Sequence, residues 1–475
     1  MEDCNMSLSK QTTAVNRIHQ LLDENSFVEL GSYVTARSTD FNMAGKETPG
    51  DGVITGYGTI DGNLVYVYSQ DSEVLGGSMG EMHAKKIVSL YAQSMKMGAP
   101  IVGLVDCAGL RLQEATDALD GFGKLYLSQT MASGVIPQIQ AVFGMCGGGM
   151  AVSSALCDFT FMEDRHAKLF INSPNAIDGN SETECDTAGA LFQSEKSGLA
   201  DFTGSEQDVI SAVRTLVSII PSNNEDDLSY TECTDDLNRL VPEITGSASK
   251  PGEILGAVSD NHFFYELGKS FGTSVMTAFI RLNGNTVGCV ANAEQELTHS
   301  GCDKAASFIG FCDAFNIPLL TLVNVSGYAA TKCTERHMAK SAAALTYAYA
   351  DANVPKVTVV TGTAFGTAYL TMGSKSIGAD VVYAWPDAAI GMMDAKEAAK
   401  IMYADEIAKA DDQNALIDKK AEEYAALQSS AMSAAKRGYV DDIIEPASLR
   451  KRTIAAFEML FTKREDRPVK KHGTV

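Results

Sequence analysis

One long spacing recurs through this chain of 475 residues. Ala99-Pro100-Ile101-Val102-Gly103-Leu104-Val105-Asp106 is answered by Ile317-Pro318-Leu319-Leu320-Thr321-Leu322-Val323-Asn324. Each is an apolar run entered through Pro, closed by a polar residue and followed by a glycine, Gly109 or Gly327. The spacing of 218 from Pro100 to Pro318 returns between Pro137 and Pro355, Gly144 and Gly362, and Gly148 and Gly366. Asp61-Gly62-Asn63 and Asn283-Gly284-Asn285 match at 222, as do Asp158-Phe159-Thr160-Phe161 and Asp380-Val381-Val382-Tyr383. A near-constant offset over so many anchors marks a duplication. The chain is therefore expected to hold two copies of one domain, which its length, too great for one ordinary core, also favours.

Each copy predicts the same element order. An X-Gly-Asn turn joins two short strands as in a hairpin (61–63, 283–285). A long helix follows (80–97, 301–315), then a buried strand (100–105, 317–323), a second helix (118–132, 339–352) and another buried strand (137–143, 355–360). That strand runs into a Gly-rich turn and a helix of small residues. Strands alternating with helices imply an α/β fold with a largely parallel, helix-covered sheet. The stretch around 203–250, richer in Asp, Glu, Ser, Asn and Pro, places the boundary, giving domains over 1–230 and 231–475.

Composition narrows the function. A net charge of −22 argues against general nucleic-acid binding, which needs a basic face. It leaves room for an anionic ligand held by a few local cations or backbone N–H groups. The N-terminus lacks the basic and apolar regions of a secretory signal, and no apolar run reaches membrane-spanning length. Ten scattered cysteines (4, 107, 146, 157, 185, 233, 289, 302, 312 and 333) form no C-x-x-C pair. They suit reduced thiols in a cytoplasmic protein, with no metal site expected.

Chemistry is most legible at Gly144-Met145-Cys146-Gly147-Gly148-Gly149-Met150, between a buried strand and a helix beginning near Ala151. A helix N-terminus offers unpaired N–H groups, and glycines let a ligand approach them. That suits an oxyanion such as a thioester enolate. Tight helix–sheet packing demands the same residues, so the cluster alone is weak evidence. Neither a G-x-x-x-x-G-K-[ST] loop nor a dinucleotide fingerprint is present, and no G-x-S-x-G announces a hydrolase. His83 and His166 read as surface or packing residues. His337 and His472 lie in basic surroundings that could meet phosphate. Met95-Lys96-Met97 has the residues of a biotin-attachment site, but it closes a helical stretch where attachment needs a hairpin tip.

Further stretches are more specific: Asp51-Gly52-Val53-Ile54-Thr55-Gly56, Ala132-Ser133-Gly134-Val135-Ile136-Pro137-Gln138, Arg239-Leu240-Val241-Pro242-Glu243, Phe311-Cys312-Asp313-Ala314-Phe315-Asn316-Ile317-Pro318, Tyr383-Ala384-Trp385-Pro386, Arg437-Gly438-Tyr439-Val440-Asp441-Asp442, and the tail Arg467-Pro468-Val469-Lys470-Lys471-His472-Gly473. Through them nearly the whole chain resembles the biotin-dependent acyl-CoA carboxyltransferases, which include acyl-CoA carboxylase β subunits and the carboxyltransferase subunits of methylmalonyl- and glutaconyl-CoA decarboxylases.

The resemblance implies two tandem crotonase-like domains. The N-terminal one would bind acyl-CoA, and the C-terminal one would bind biotin on a separate carrier protein. Gly148 and Gly149 match the glycines that hold the thioester enolate, with Gly109, Leu110, Arg111, Gly147 and Leu370 on the substrate side. On the biotin side stand Gly327, Tyr328, Phe365 and Gly366, with the N–H groups of Thr367 and Ala368 stabilising charge on the biotin oxygen. No side-chain base is needed. Implied partners are a biotin carrier protein, a biotin carboxylase or a membrane decarboxylase subunit, and further copies of the chain in a dimer or a hexamer. The protein would be cytoplasmic, and peripheral to the membrane if it served a decarboxylase pump.

Several positions depart from the family pattern. Thr367 replaces a second glycine, Ser326-Gly327-Tyr328-Ala329-Ala330-Thr331 replaces a Pro-Gly-Phe segment, and the usual Gly-Gly-Ala-Arg and Met-Gly-Ala-Lys become Ala108-Gly109-Leu110-Arg111 and Met393-Asp394-Ala395-Lys396. Leu370 stands where propionyl-type members have Asp. Thr367 and the altered 326–331 segment keep one alternative in play, a non-catalytic or specialised paralogue with an altered biotin pocket. A second is a crotonase-like hydratase or isomerase without biotin, for which Glu163 is the nearby candidate base and against which the two fused halves and the C-terminal motifs count.

Overall fold

A computed structural model describes residues 12–225, 230–246, 249–465 and 473. Cys4, His472 and most of the tail motif at 467–473 lie outside the described residues. The chain divides into two compact units, Met1–Ser229 and Tyr230–Val475.

Unit 1 runs α1 (Thr13–Leu21), β1 (Val28–Leu30), β2 (Val53–Ile60), β3 (Asn63–Gln70), α2 (Glu81–Met97), β4 (Ile101–Cys107), α3 (Ala115–Ala132), β5 (Gln138–Gly147), α4 (Gly149–Ala155), β6 (Phe159–Glu163), β7 (Lys168–Phe170), α5 (Ala190–Phe192), β8 (Phe202–Gly204) and α6 (Glu206–Ile219). Its sheet has the order β1-β2-β3-β4-β5-β6-β8, with β7 also paired to β5. Strands β1, β2 and β3 are antiparallel neighbours, and from β3 onward the pairing is parallel. Asp61 and Gly62, both at positive φ, close the β2–β3 hairpin as a two-residue turn.

Unit 2 repeats this with α7 (Pro251–Val258), β9 (Phe264–Leu267), β10 (Val275–Leu282), β11 (Asn285–Asn292), β12 (Glu296–Leu297), α8 (His299–Ala314), β13 (Leu319–Val325), β14 (Gly327–Tyr328), α9 (Lys332–Glu335), α10 (Met338–Asp351), β15 (Lys356–Phe365), α11 (Gly366–Thr371), β16 (Val381–Ala384) and β17 (Ala389–Gly391). Beyond these lie α12 (Ala395–Met402), α13 (Ala404–Ile407), α14 (Gln413–Tyr424), α15 (Ala431–Lys436), β18 (Asp442–Ile443) and α16 (Leu449–Leu460). The sheet order is β18-β16-β15-β13-β11-β10-β9. Each unit buries its own apolar core: Ile101, Val105, Leu125 and Val142 contribute to the first, and Leu320, Leu322, Val357 and Trp385 to the second. This is the tandem α/β arrangement expected from the repeat.

Helix ends follow local chemistry. Gly98 stops α2 in the left-handed region at φ 60°, and a Ser205–Asp208 capping box starts α6. Thr298 caps α8 and so begins it at His299, ahead of the predicted 301. The polar stretch opens with β8 and α6, which occupy 202–219 of unit 1. One expectation is corrected. Gly144–Gly147 is not turn but the end of β5, held straight by β7 through Met145–Lys168, Cys146–Leu169 and Gly147–Phe170. The turn itself is Gly148.

Candidate functional site

In unit 1 the polar residue that closes the β4 run pins the neighbouring strand. Asp106 Oδ1 accepts the Met145 N–H at 3.1 Å, and the space a Cβ would need at Gly144 is taken by that carboxylate. The β4–β5 register shifts there, between Val105 and Cys107. Unit 2 builds the same device. Asn324 Oδ1 accepts the Thr363 N–H at 3.0 Å, its atoms occupy the place of a Cβ on Gly362, and the register shifts between Val323 and Val325.

Past this pin each strand turns through one glycine into a short helix. Gly148 has φ 56° and ψ −116°, a conformation open in practice only to glycine, and Gly366 has φ 61°. Gly148 is not a free donor, because its N–H bonds the Phe170 carbonyl at 2.9 Å. That corrects its expected role: it shapes the turn. The N–H groups of Gly149 and Met150, in the first turn of α4, have no intrahelical acceptor. Tyr126 fixes the same turn by donating to the Gly149 carbonyl at 2.7 Å.

The loop after β4 lies against this turn: a Cβ on Gly109 would stand 3.4 Å from the Gly147 carbonyl oxygen. Met79 N–H bonds Gly109 O, and Arg111 N–H bonds Met79 O. In such a bridge the intervening residue, Leu110, directs its own N–H to the other side. Leu110 is 39% exposed. In unit 2, Gly327 and Tyr328 form β14, paired to β12 and packed against α11.

Arg111 is 2% exposed and spent on structure. Its Nη1 meets Asp51 at 2.5 Å and Glu114 at 2.7 Å, and its Nη2 donates to the Ser78 carbonyl at 2.6 Å. The expected substrate contact is corrected accordingly, since its guanidinium is buried in this network. Burial pushes the Asp51 carboxyl up, against the pull of Arg111. His83 joins the cluster, donating its backbone N–H to Asp51 Oδ2 and placing Nδ1 2.9 Å from Asp51 O and Nε2 3.1 Å from Gln70 Nε2. Burial lowers its pKa to about 3, so it stays neutral and is a packing residue.

Other candidates fall away on geometry. Glu163 accepts N–H bonds from Arg165, His166 and Ala167; these outweigh burial and hold its carboxyl below the ordinary value, the reverse of a base poised near neutrality. Burial raises the Cys107 and Cys146 thiols to about 11 and 12, so neither is a nucleophile. His166 and His337 are exposed, and Lys96 lies on the last turn of α2. Thr367 is exposed at a φ outside the positive range, Leu370 is exposed, and Phe365 and Ala368 are buried.

The sequence had not singled out Asp51, Glu114 or Arg17. Asp51 at φ 52° inside an Asp-Gly pair was the available signal. Arg17 had none, since its partners, Asp106 and Glu206, are remote in the chain.

The carboxyl transferase domain family model matches residues 9–475. The α subunit of methylmalonyl-CoA decarboxylase from Veillonella parvula is 43% identical, over 98% of this chain and 92% of the relative. The carboxyltransferase subunit of propionyl-CoA carboxylase from Haloferax mediterranei is 41% identical, over 98% and 93%. The crystal structure of transcarboxylase 12S, a hexamer with methylmalonyl-coenzyme A and methylmalonic acid bound, superposes with a TM-score of 0.93 at 38% identity, covering 98% of this chain and 92% of that one.

Proposed function

The chain belongs to the biotin-dependent carboxyltransferase family, and from that membership we propose that it moves a carboxyl group between biotin on a separate carrier protein and the α-carbon of a short acyl-CoA. The observation carrying this reading is the doubled turn, strand to positive-φ glycine to helix, once in each unit. A reaction that joins two activated carbonyl compounds needs two sites for developing negative oxygen, and the fold offers two.

On the acyl side the thioester oxygen is held by the N–H groups of Gly149 and Leu110. Both are backbone donors fixed before the substrate arrives, so stabilising the enolate requires no reorganisation. Gly148 supplies the turn, Gly147 and Gly109 keep loop and turn in contact, and Arg111 locks the loop from behind.

On the other side the residues fit a ring carbonyl oxygen. Gly366 turns the chain at φ 61°, and a Cβ there would stand 3.3 Å from the Met392 carbonyl oxygen. The N–H groups of Thr367 and Ala368 then open α11 without intrahelical acceptors. Phe365, Gly327 and Tyr328 flank them. Biotin, when bound on its carrier, supplies the nitrogen that carries the carboxyl group. Thr367 keeps its N–H, and its side chain points to open space, so the loss of the second glycine does not abolish the donor.

Relatives named for methylmalonyl-CoA and propionyl-CoA make C3 and C4 acyl groups the first substrates to test. A hexamer, like that of transcarboxylase 12S, is the expected assembly. A biotin carboxylase or a membrane decarboxylase subunit would set the direction, the latter giving a cytoplasmic enzyme peripheral to the membrane. Among the described residues no helix is long and apolar enough to cross a membrane. Carboxyl transfer from N-carboxybiotin to acetyl- and propionyl-CoA, and from methylmalonyl- and glutaconyl-CoA to free biotin, tests the reading. Saturable transfer to propionyl-CoA or from methylmalonyl-CoA is expected; no transfer with any of the four would overturn it.

A further inference from the structure

The duplication allows one place to be compared atom group by atom group. Asp23 accepts the Gly62 N–H at the first hairpin, and Asp260 accepts the Gly284 N–H at the second. Helix α1 therefore corresponds to α7 at a spacing of 237, and Arg17 to Ile254. In unit 1 the Arg17 guanidinium lies 4.6 Å from the centre of the Phe143 ring. It also lies 3.8 Å from Asp106 and is doubly bonded to Glu206. This plug closes the space between α1 and the ends of the central strands.

At the 218 spacing, Asp106 and Phe143 correspond to Asn324 and Thr361. Three of the plug's four residues, Arg17, Asp106 and Phe143, are thus replaced in unit 2 by Ile254, Asn324 and Thr361, and all three replacements line a cavity of about 180 Å³. Its wall has lost the carboxylate that Asp106 supplies in unit 1. Asn324 Oδ1 is occupied by the Thr363 N–H and hydroxyl, so what this residue can offer a ligand is its amide N–H₂. Asn292, 6% exposed, also lines the cavity, and its Nδ2 has no hydrogen-bond partner among the described residues. Lys250, at the N-cap of α7, adds a positive charge where the helix dipole is positive. Glu294 is the one carboxylate on the lining; it is exposed and accepts the Thr273 hydroxyl.

We infer that this cavity in unit 2 is a binding site for a compact oxyanion, separate from the turn at Gly366. Amide donors and the N-terminus of α7 face a space that in unit 1 is filled by the protein's own ion pair. Inorganic phosphate, bicarbonate and malonate distinguish a tetrahedral, a planar and a carboxylate ligand.

The test is calorimetric titration of the full chain with each probe, repeated on Asn324→Asp and Lys250→Met. Asp at 324 restores the unit 1 residue in an isosteric form and returns negative charge to the wall. Met at 250 keeps an unbranched side chain at an exposed position and removes the cation from the lining. Saturable binding of at least one probe in the millimolar range is expected, weakened by about tenfold or more in both variants, as loss of a charge-assisted hydrogen bond implies. Melting temperature and coenzyme A affinity, measured alongside, should stay near wild type. Absence of saturable binding, or binding indifferent to both substitutions, overturns the inference; the latter would place the anion elsewhere, for instance at a coenzyme A phosphate site.

Discussion

Gly149 and Thr367 hold the same place in two copies of one turn, and the helices behind them account for the difference. A Cβ on Gly149 would fall 2.8 Å from the Phe122 ring and 2.9 Å from the Tyr126 hydroxyl of α3. Aligned by their buried positions, Gly121, Leu125 and Gln129 of α3 match Ser341, Leu345 and Tyr349 of α10. Phe122 and Tyr126 then correspond to Ala342 and Thr346. Without the aromatic wall a β-branched residue fits, and Thr367 is exposed. The second glycine is thus a packing requirement of unit 1, whereas the first, at positive φ, is a backbone requirement of both.

The sharpest asymmetry lies behind the loops. Arg111 corresponds to Ala329, so only unit 1 locks its loop with a buried ion cluster. Arg111→Met should cost about 3–5 kcal/mol in urea unfolding, because it strands Asp51 and Glu114 away from water. A loss below about 1 kcal/mol would mean that the cluster is not a lock.

Transplanting the unit 2 residue into unit 1 is the next largest change. Gly149→Thr should lower kcat/KM for carboxyl exchange by about 10²–10³, the value of one oxyanion donor. Equal activity would show that the Phe122 wall yields freely.

A pair of matched aspartates gives a pH test. Asp158 accepts the Gln138 N–H and Asp380 the Lys356 N–H, but only Asp380 has a cation, Lys463 at 2.9 Å. Burial, partly opposed by the Gln138 bond, pushes Asp158 up to about 7. The folded state then holds a proton that the unfolded chain releases near pH 4, so wild-type stability falls as pH rises from there through 7. Asp158→Asn should melt higher than wild type at about pH 8 and alike only below about pH 4, the gap widening in between. Asp380→Asn should melt lower than wild type at about pH 8, because Lys463 loses the nearer of its two carboxylates. A wild-type difference for Asp158→Asn that is constant across that range would contradict the assignment.

The smallest effect is expected at Thr367→Gly. Its N–H survives and its side chain touches little, so exchange should be nearly unchanged, with about 0.5–1 kcal/mol lost to backbone freedom. A large gain in biotin-dependent rate would instead support a paralogue with an impaired biotin pocket.

Much of this was legible before the structure. Proline-led apolar runs and X-Gly-Asn turns repeat in the sequence because both copies keep the same strands and hairpins, and periodicity reads such elements well. What periodicity misses depends on distant partners. Gly144–Gly147 reads as turn by composition but is strand because β7 pairs with it. Gly148 reads as a donor until Phe170 is seen to take its N–H. Arg111 reads as a substrate contact until Asp51, sixty residues earlier, is found against it. Arg17 carries no local signal at all, yet its absence from unit 2 opens a cavity.

The central claim is that each turn serves one reactant. It is tested most directly by carboxyl exchange between methylmalonyl-CoA and free biotin, comparing Gly148→Ala with Gly366→Ala. If the claim holds, Gly148→Ala raises KM for the acyl-CoA and leaves that for biotin, and Gly366→Ala does the reverse. Both substitutions shifting the same KM, or a wild-type chain that exchanges nothing, would contradict it.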